Sequence, residues 1–494
     1  MILEKLRMSP KIDIAVNKTI NIQSLVLKIM LENIVCKFGG SSISGGAERL
    51  KRIILDDPRR KVIVVSAPGK SYQEDKKVTD KLIEIIDRKE IRTSHGIKMP
   101  DGIYQEARSP DYIAAVSKSI FGNYTHAFGT TAYNFEEWFN ETLAKRIHNL
   151  PDGGKEAEDA VKAFGEEATA KIFVEFLGVG AEYVDAGEIL KVKPHQAGGK
   201  ILEESEELIK QRLVGNKLYV VPGFYGRTLN DKIVTFSRGG SDLTGAYIAV
   251  ALGFVYENFT DSDGIKSVNP KIIRDAKKID VMTYEEIRDL SVSGFSIFHE
   301  EAMIPLRKGR IPVHVRNTFT YPSEGTWIVS DRISNAERPI VGIGYRDNLC
   351  AFNIESLGMN EEVGTVCNLL TVFKNRNIPI EFITTGIDDT AIILNRNKLP
   401  SDPTAVDDIM RELQNHLGNY PLVDFEEHLS GVVIAGKGLK GRRGILADTA
   451  DTLSNQGINI RFMSQGPREN SMVYGIESVD LERAIKAIYK KYLV

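Results

Sequence analysis

From residue 33 to residue 319, short β-branched runs alternate with stretches of helical periodicity, and no other feature constrains the fold as much. A strand buried on both faces reads as an uninterrupted apolar run, as residues 62–65 do, and such strands belong to parallel sheets covered by helices. The first strand, 33–38, ends in Lys37-Phe38 and is followed by Gly39-Gly40-Ser41-Ser42 and a helical pattern through Ala47, Leu50, Ile53 and Ile54. A second strand, 61–69, closes on Pro68-Gly69, and 77–89 reads as helix. Residues 156–178 predict a helix with Val161, Phe164, Ala168, Ile172 and Phe173 on one face. Short strands follow at 183–185 and 217–226. Residues 233–253 read strand, Gly-Gly loop and apolar helix, and 254–268 strand and loop. Thr283 and Glu286 have the spacing of a capping box that starts another helix, and 311–319 is a closing strand. Together these predict an α/β sandwich with a mostly parallel sheet. Residues 90–155 look like a polar, aromatic-rich elaboration to which we assign little chemistry.

The character changes at 320–338, a polar stretch with Pro and Gly, and the domain boundary is expected there. Residues 340–494 read as a duplication. Each half runs strand–helix–strand–strand–helix, the first opening on 340–346 and the second on 431–438. Such a unit folds as a ferredoxin-like α+β layer. Each unit alone buries little, so their sheets are expected to pair.

The 494 residues suggest about three domains. With 64 Lys and Arg against 67 Asp and Glu, the net charge of -3 exerts no general pull on nucleic acid or anionic lipid. Any polyanion needs a local site. Three scattered cysteines, Cys36, Cys350 and Cys367, form no C-x-x-C pair and fit a reducing cytoplasm. No segment reaches about 18 uninterrupted apolar residues, so no membrane partner is expected. The triplets at Asn123, Asn140 and Asn258 are chance glycosylation matches. Residues 1–29 read either as an upstream-start extension, with Met30 a second start, or as an appendage.

Two segments carry the chemistry. Lys37 ends a buried strand, and Gly39 and Gly40 let backbone N–H groups approach an anion at a helix start. Ser237-Arg238-Gly239-Gly240-Ser241-Asp242 repeats that logic, with a guanidinium suited to a carboxylate. In an open α/β sheet both turns lie at the carboxyl ends of strands, the usual ligand crevice. Residues 260–264, Thr-Asp-Ser-Asp-Gly, lack the remaining positions of a calcium loop and suit ribose and phosphate instead.

Taken in order, these pieces resemble the aspartate kinases of the amino-acid kinase family, over about 33–494. Lys37 to Ser42 resembles the family's K-F-G-G-T-S, and Val65-Ser66-Ala67 with Val78-Thr79-Asp80 its V-S-A…G-V-T-D. Gly165-Glu166 is similar to its helix-borne G-E, and Val221 to Phe224 to V-P-G-F. Ser237 to Asp242 resembles G-R-G-G-S-D, Thr260 to Gly264 T-D-V-D-G, and Ile311 to Phe319 I-P-V-x-V-R-N-T-F.

The resemblance implies an amino-acid-kinase-type sandwich at 30–322, then ACT domains at 323–415 and 416–494, the second interleaved with 323–336 through a strand near 326–330. It implies transfer of the ATP γ-phosphoryl group to the β-carboxylate of L-aspartate, with Mg²⁺ carried by the nucleotide and no protein-held metal. Lys37 would neutralise the phosphoryl group, and Asp242 would orient Lys37 or substrate. Ser41, Thr79, Glu166, Arg238 and Ser241 would bind aspartate, Glu166 taking its amino group and Arg238 its α-carboxylate. Gly39, Gly40, Thr260, Asp261, Asp263, Lys266, Lys271 and Ser296 would line the nucleotide. Ser296 stands where many members carry a nucleotide-contacting lysine, and Lys266 or Lys271 is the expected substitute. Ser237 replaces the family's usual Gly. ACT domains imply an amino-acid effector, lysine before threonine, near Gly364-Thr365, Thr385, Asp388, Gly444-Ile445, Ser464 and Gln465. They also imply a cytoplasmic homodimer or tetramer. Two rival readings stay open: a kinase of glutamate, N-acetylglutamate, carbamate or UMP, and a catalytically silent amino-acid sensor.

Overall fold

The computed structural model describes residues 32–84, 110–148, 155–178, 180–195, 198–237, 239–291, 300–333, 338–402, 404–417 and 421–494. They form two compact units, one from 32–265 and 300–332, the other from 266–291 and 333–494. Residues 266–291 group with the second unit, and the first unit extends to 332.

In the first unit β1 (Ile34–Phe38) is followed by a short helix α1 (Gly40–Ser44), α2 (Ala47–Asp56) and β2 (Arg60–Val65). The elaboration contributes α3 (Pro110–Phe128) and α4 (Glu136–His148), which lead into α5 (Lys155–Leu177). β3 (Glu182–Tyr183), β4 (Tyr219–Pro222), α6 (Gly240–Leu252), β5 (Val255–Thr260), β6 (Val313–Asn317) and β7 (Thr326–Val329) complete the frame. Within this unit the strand order is β7–β6–β5–β1–β2–β4–β3. All neighbours are parallel except β6 and β7. The buried Val62, Ile63, Val64 and Val65 explain the apolar run: helices cover both faces. The predicted face of α5 is buried, and so are Ala163, Gly165 and Glu166, because the helix is enclosed on more than one side. The elaboration is core rather than ornament: Phe139 packs at a tilt or edge-on against Phe121, Tyr124 and Phe164 of α5.

Beneath this sheet lies a buried charge cluster. Glu257 of β5 receives Arg60 Nε at 2.7 Å, Arg316 Nη1 at 3.3 Å, His314 Nδ1 at 3.4 Å and the Cys36 thiol at 3.5 Å. Burial alone would raise its pKa, but the His314 hydrogen bond and the Arg60 charge outweigh burial and hold the carboxyl well below its usual range. Glu257→Gln is expected to cost about 3–5 kcal/mol of stability at pH 7, because two guanidinium groups lose their counter-charge. The sign with pH follows from the depressed pKa. The contribution is complete above about 4.5 and fades as pH falls further. Urea denaturation at pH 7 and pH 4 checks this: the gap between wild type and variant should narrow at the lower pH.

In the second unit α7 (Tyr284–Ser291) starts at the predicted capping box, which is reciprocal. Thr283 N–H donates to Glu286 Oε2 at 2.7 Å, and Glu286 N–H to Thr283 Oγ1 at 3.2 Å. The remaining elements are β8 (Gly342–Glu355), α8 (Thr365–Asn375), β9 (Phe382–Thr385), β10 (Asp389–Asn395) and α9 (Ala405–Asn415). They are followed by β11 (Leu422–Ala435), α10 (Ile445–Ser454), β12 (Phe462–Gln465), β13 (Ser471–Glu477) and α11 (Leu481–Tyr492). The two repeats do not pair as separate sheets. They share one six-stranded sheet in the order β9–β10–β8–β11–β13–β12. β8 and β11 are antiparallel 14-residue strands with register breaks between Arg346 and Ala351. Near the breaks Asn348 and His428 take positive φ of 54° and 62°. Each strand therefore serves one repeat with one half and its sibling with the other.

That arrangement corrects the expected interleaving. The strand shared with the second repeat is the 342–346 half of β8, which pairs with 431–435 of β11. The strand near 326–330 is β7 and stays in the first sheet, Val313 opposite Ile328. Local chemistry fixes it there: Trp327 stacks on His314 with centroids 3.9 Å apart, and Thr326 Oγ1 accepts the Ile265 N–H at 2.8 Å.

Candidate active site

Parallel pairing places the ends of β5, β1, β2 and β4 on one edge, so Asp261, Gly39, Ala67 and Gly223 follow adjacent strands. Lys37 of β1 lies directly opposite Asn258 of β5. Its ammonium reaches Asp242 Oδ1, in the first turn of α6, at 2.7 Å, and both side chains are 12% exposed. Asn258 Nδ2 donates to the same oxygen at 3.3 Å.

The glycines are spacers. A Cβ on Gly40 would stand 2.8 Å from the Ala67 carbonyl oxygen, and Gly40 O instead accepts the Gly69 N–H at 2.9 Å. Gly239 caps α6 with φ 84°, a left-handed conformation that favours glycine. A Cβ on Gly223 would lie 2.6 Å from Ser241 Cβ, which explains why the Val-Pro-Gly-Phe turn packs directly on the start of α6.

Glu166 projects from α5 beside the Ala67 loop. Gly165 permits the approach, since a Cβ there would be 2.9 Å from Ala67 Cβ. Glu166 is 5% exposed, and its Oε2 has no hydrogen-bond partner. Burial raises its pKa to about 8, against the lowering effect of the Ala67 N–H. A dry carboxyl with an open oxygen is poised for a cationic group.

The loop that brings Ala67 and Gly69 into place is braced by the elaboration. Asn123 of α3 donates to Gly69 O at 3.1 Å and to Asp75 at 2.9 Å, and accepts from Lys81 at 2.7 Å. Burial would raise the Asp75 pKa, but Lys81 and two backbone N–H groups bring it down to about 2. Asn123 and Asn258 are buried and unavailable to a glycan.

The other sequence-predicted residues divide. Ser41 is exposed in α1, Thr79 half-buried in the helix after the Pro68-Gly69 turn, and Ser241 buried in α6. Thr260 donates to Asp261 at 3.2 Å at the end of β5. Asp263 accepts from Asn317 and Thr320, both at 2.7 Å, and so also braces the turn after β6. Lys266 and Lys271 lie in the second unit, Lys266 in a β-bridge to Lys278 and Lys271 exposed. Arg238, Ser296 and residues 1–29 lie outside the described residues. Ser237 donates to Glu301 at 2.7 Å, a bond that the usual glycine lacks.

Sequence reasoning missed Asn258, Asn123 and Thr318, the last sharing a 2.6 Å hydrogen bond with Ser42 behind the first Gly-Gly turn. The Arg-Asn-Thr-Phe motif was a signal for Thr318. Asn258 had none, because its role depends on which strand lies beside β1.

In the second unit, α8 and α10 begin at matching left-handed glycines, Gly364 with φ 93° and Gly444 with φ 89°. Thr385 is exposed at the end of β9, and Asp388 accepts the Gly358 N–H at 2.7 Å. Ser464 and Gln465 end β12 in the corresponding place.

The amino acid kinase family model matches residues 32–317 and an ACT domain model matches 432–492. The chain is 33% identical over 467 residues to aspartokinase 3 of Bacillus subtilis, covering 93% of this chain and 98% of that one. It is 26% identical to chloroplastic aspartokinase 1 of Arabidopsis thaliana, over 93% of this chain and 80% of the relative. Among solved structures, the aspartate kinase of Clostridium acetobutylicum, described as an allosteric enzyme, matches with TM-score 0.75 and 30% identity over 94% of this chain and 100% of that one. Escherichia coli aspartokinase III with aspartate and ADP matches with TM-score 0.66 over 94% of this chain and 100% of that one. At 21% identity it speaks to the fold.

Proposed function

This chain belongs to the aspartate kinases of the amino acid kinase family, and from that premise we propose how its residues transfer the ATP γ-phosphoryl group to the β-carboxylate of L-aspartate. The product is 4-phospho-L-aspartate, the first intermediate toward lysine, threonine and methionine. The observation that carries the proposal is the unpartnered, buried oxygen of Glu166 on the strand-end edge that also holds Lys37 and Asp242. A cation completes Glu166, and the α-ammonium of aspartate is one. Arg238 takes the α-carboxylate, and Ser41, Thr79 and Ser241 line the pocket.

The β-carboxylate is ionised at pH 7, its pKa being about 4, and attacks phosphorus without a general base. The barrier is the approach of one anion to another. Lys37 lowers it by placing positive charge at the transferring group, and Gly39 and Gly40 offer backbone N–H groups to its oxygens. Asp242 holds the ammonium in place until phosphate arrives. Thr260, Asp261 and Asp263 form the nucleotide loop, and Lys266, Lys271 and Ser296 join the proposal on sequence grounds alone. Mg²⁺ carried on the ATP phosphates supplies further neutralisation. Among the described residues no group of three or more His, Cys, Asp and Glu side chains forms a metal site.

The ACT repeats bind an end-product amino acid, lysine ahead of threonine, at Thr385 and Asp388 or at Ser464 and Gln465. They also join two chains as a dimer, or four as a tetramer, in the cytoplasm. Among the described residues no helix is long and apolar enough to cross a membrane.

Acyl phosphate trapped with hydroxylamine tests the reaction. With ATP and Mg²⁺, hydroxamate is expected from L-aspartate and not from L-glutamate, and added lysine should suppress it. Product from glutamate would move the chain to another amino-acid kinase. No product from a folded chain would favour the silent sensor.

A further inference from the structure

We propose that Asn258 is a positioning residue of the phosphoryl-transfer site: it holds the Asp242 carboxylate while the Lys37 ammonium turns from it to the transferred phosphoryl group. The proposal rests on the aspartate kinase reading above.

Lys37 and Asn258 are register partners on adjacent parallel strands, so their side chains leave the sheet on the same face. Both converge on one oxygen, Asp242 Oδ1, at 2.7 Å and 3.3 Å. A carboxylate only accepts, so the amide presents its NH₂ to Asp242 and its carbonyl elsewhere. That carbonyl, Asn258 Oδ1, is buried and has no partner, and the whole residue is 2% exposed. An unsatisfied buried acceptor destabilises the fold. Its other register partner is Val315 of β6, and an aliphatic side chain would fill this place without that cost.

The amide supplies what an aliphatic side chain lacks. When the ammonium swings toward phosphate, Asp242 would otherwise stand buried with its main counter-charge withdrawn, and that cost would be added to the barrier. Asn258 keeps one hydrogen bond on the carboxylate throughout. The carbonyl, unpartnered while Lys37 rests on Asp242, is left open to accept an N–H of the ammonium as it turns. Being neutral, Asn258 does both without drawing charge away from the phosphoryl group. A carboxylate at this position would bind Lys37 from two sides and hold it back.

Two full-length variants test this, Asn258→Leu and Asn258→Asp, assayed beside wild type by hydroxamate formation. For Asn258→Leu we expect kcat to fall about tenfold or more, with the KM for aspartate within about twofold, since the aspartate-binding groups are untouched. Its melting temperature should equal or exceed that of wild type, because the orphaned carbonyl is gone. A merely structural role predicts the reverse, lower stability with kcat intact. Asn258→Asp keeps the shape and should also lose kcat; it decides the matter if Asn258→Leu does not fold. An active wild type with a folded variant of unchanged kcat overturns this proposal alone. A wild type that makes no aspartate-dependent product overturns the functional reading and this proposal with it.

Discussion

Lys37→Met is expected to lower kcat by about three orders of magnitude, roughly 4 kcal/mol of transition-state stabilisation. Methionine keeps the length and apolar stem of lysine, so the loss reports charge and not packing. The ammonium it removes is the one found on Asp242 at 2.7 Å, on the strand end that leads into Gly39 and Gly40. Its charge acts in a site only 12% exposed, where water screens it little. Lys37→Arg should not restore the rate. The planar fork is wider and places its charge differently from a compact ammonium. The measurement is kcat by hydroxamate formation, with the melting temperature as control. Asp242 loses its ion pair in Lys37→Met, so some loss of stability accompanies the loss of rate. A folded Lys37→Met chain within tenfold of wild type would remove Lys37 from the chemistry.

How much of this was legible in the sequence depended on whether the physics was local. The capping box of Thr283 and Glu286 is a four-residue matter and appeared as read. The β-branched run at 62–65 announced a strand covered on both faces, and the two Gly-Gly turns announced backbone in close approach. Pairing across long stretches of sequence was not legible. Nothing in residues 326–329 says that they prefer β6 to the second repeat; the His314–Trp327 stack decides it, and a stack cannot be seen before the strands are side by side. The second Glu286 oxygen accepts the Lys437 N–H at 2.6 Å, a long-range bond that no local motif encodes. The ACT-like repeats were half legible for the same reason. Their helices, turns and first strands follow from periodicity. The long strands β8 and β11 instead continue past register breaks near Asn348 and His428, both at positive φ, and that continuation depends on the pairing of the two strands. In the candidate site the residues with charge or glycine stood out, while Asn258 and Asn123 did not. An asparagine gains its meaning from its partners, and here those are Asp242, Gly69, Asp75 and Lys81.

Glu166 offers the sharpest test of substrate binding because its two protonation states do opposite things. In the free enzyme burial raises its pKa to about 8, so at pH 7 the carboxyl is mostly neutral. Aspartate brings an ammonium, which pairs only with the ionised form. Binding at pH 7 must therefore expel a proton, and kcat/KM for aspartate should rise with pH from about 6.5 and level off above about 8. Titration calorimetry in two buffers of different ionisation enthalpy should show close to one proton released at pH 7. Glu166→Gln keeps the shape and removes the titration. We expect the KM for aspartate to rise about 100-fold, with the pH dependence of kcat/KM flattened, as for loss of a buried charge-assisted contact. Stability should move the other way. A carboxyl with a raised folded-state pKa favours the fold fully below about 4.5, and that advantage disappears as pH rises through about 8. Above pH 8 the unliganded wild type therefore carries a buried, half-satisfied carboxylate, whereas glutamine carries none. Glu166→Gln should melt at the same temperature as wild type or higher at pH 9, while binding aspartate far more weakly. A wild-type kcat/KM that stays flat between pH 6.5 and 8.5 would show that substrate does not meet Glu166, and the amino-group site would have to be sought elsewhere along the strand-end edge.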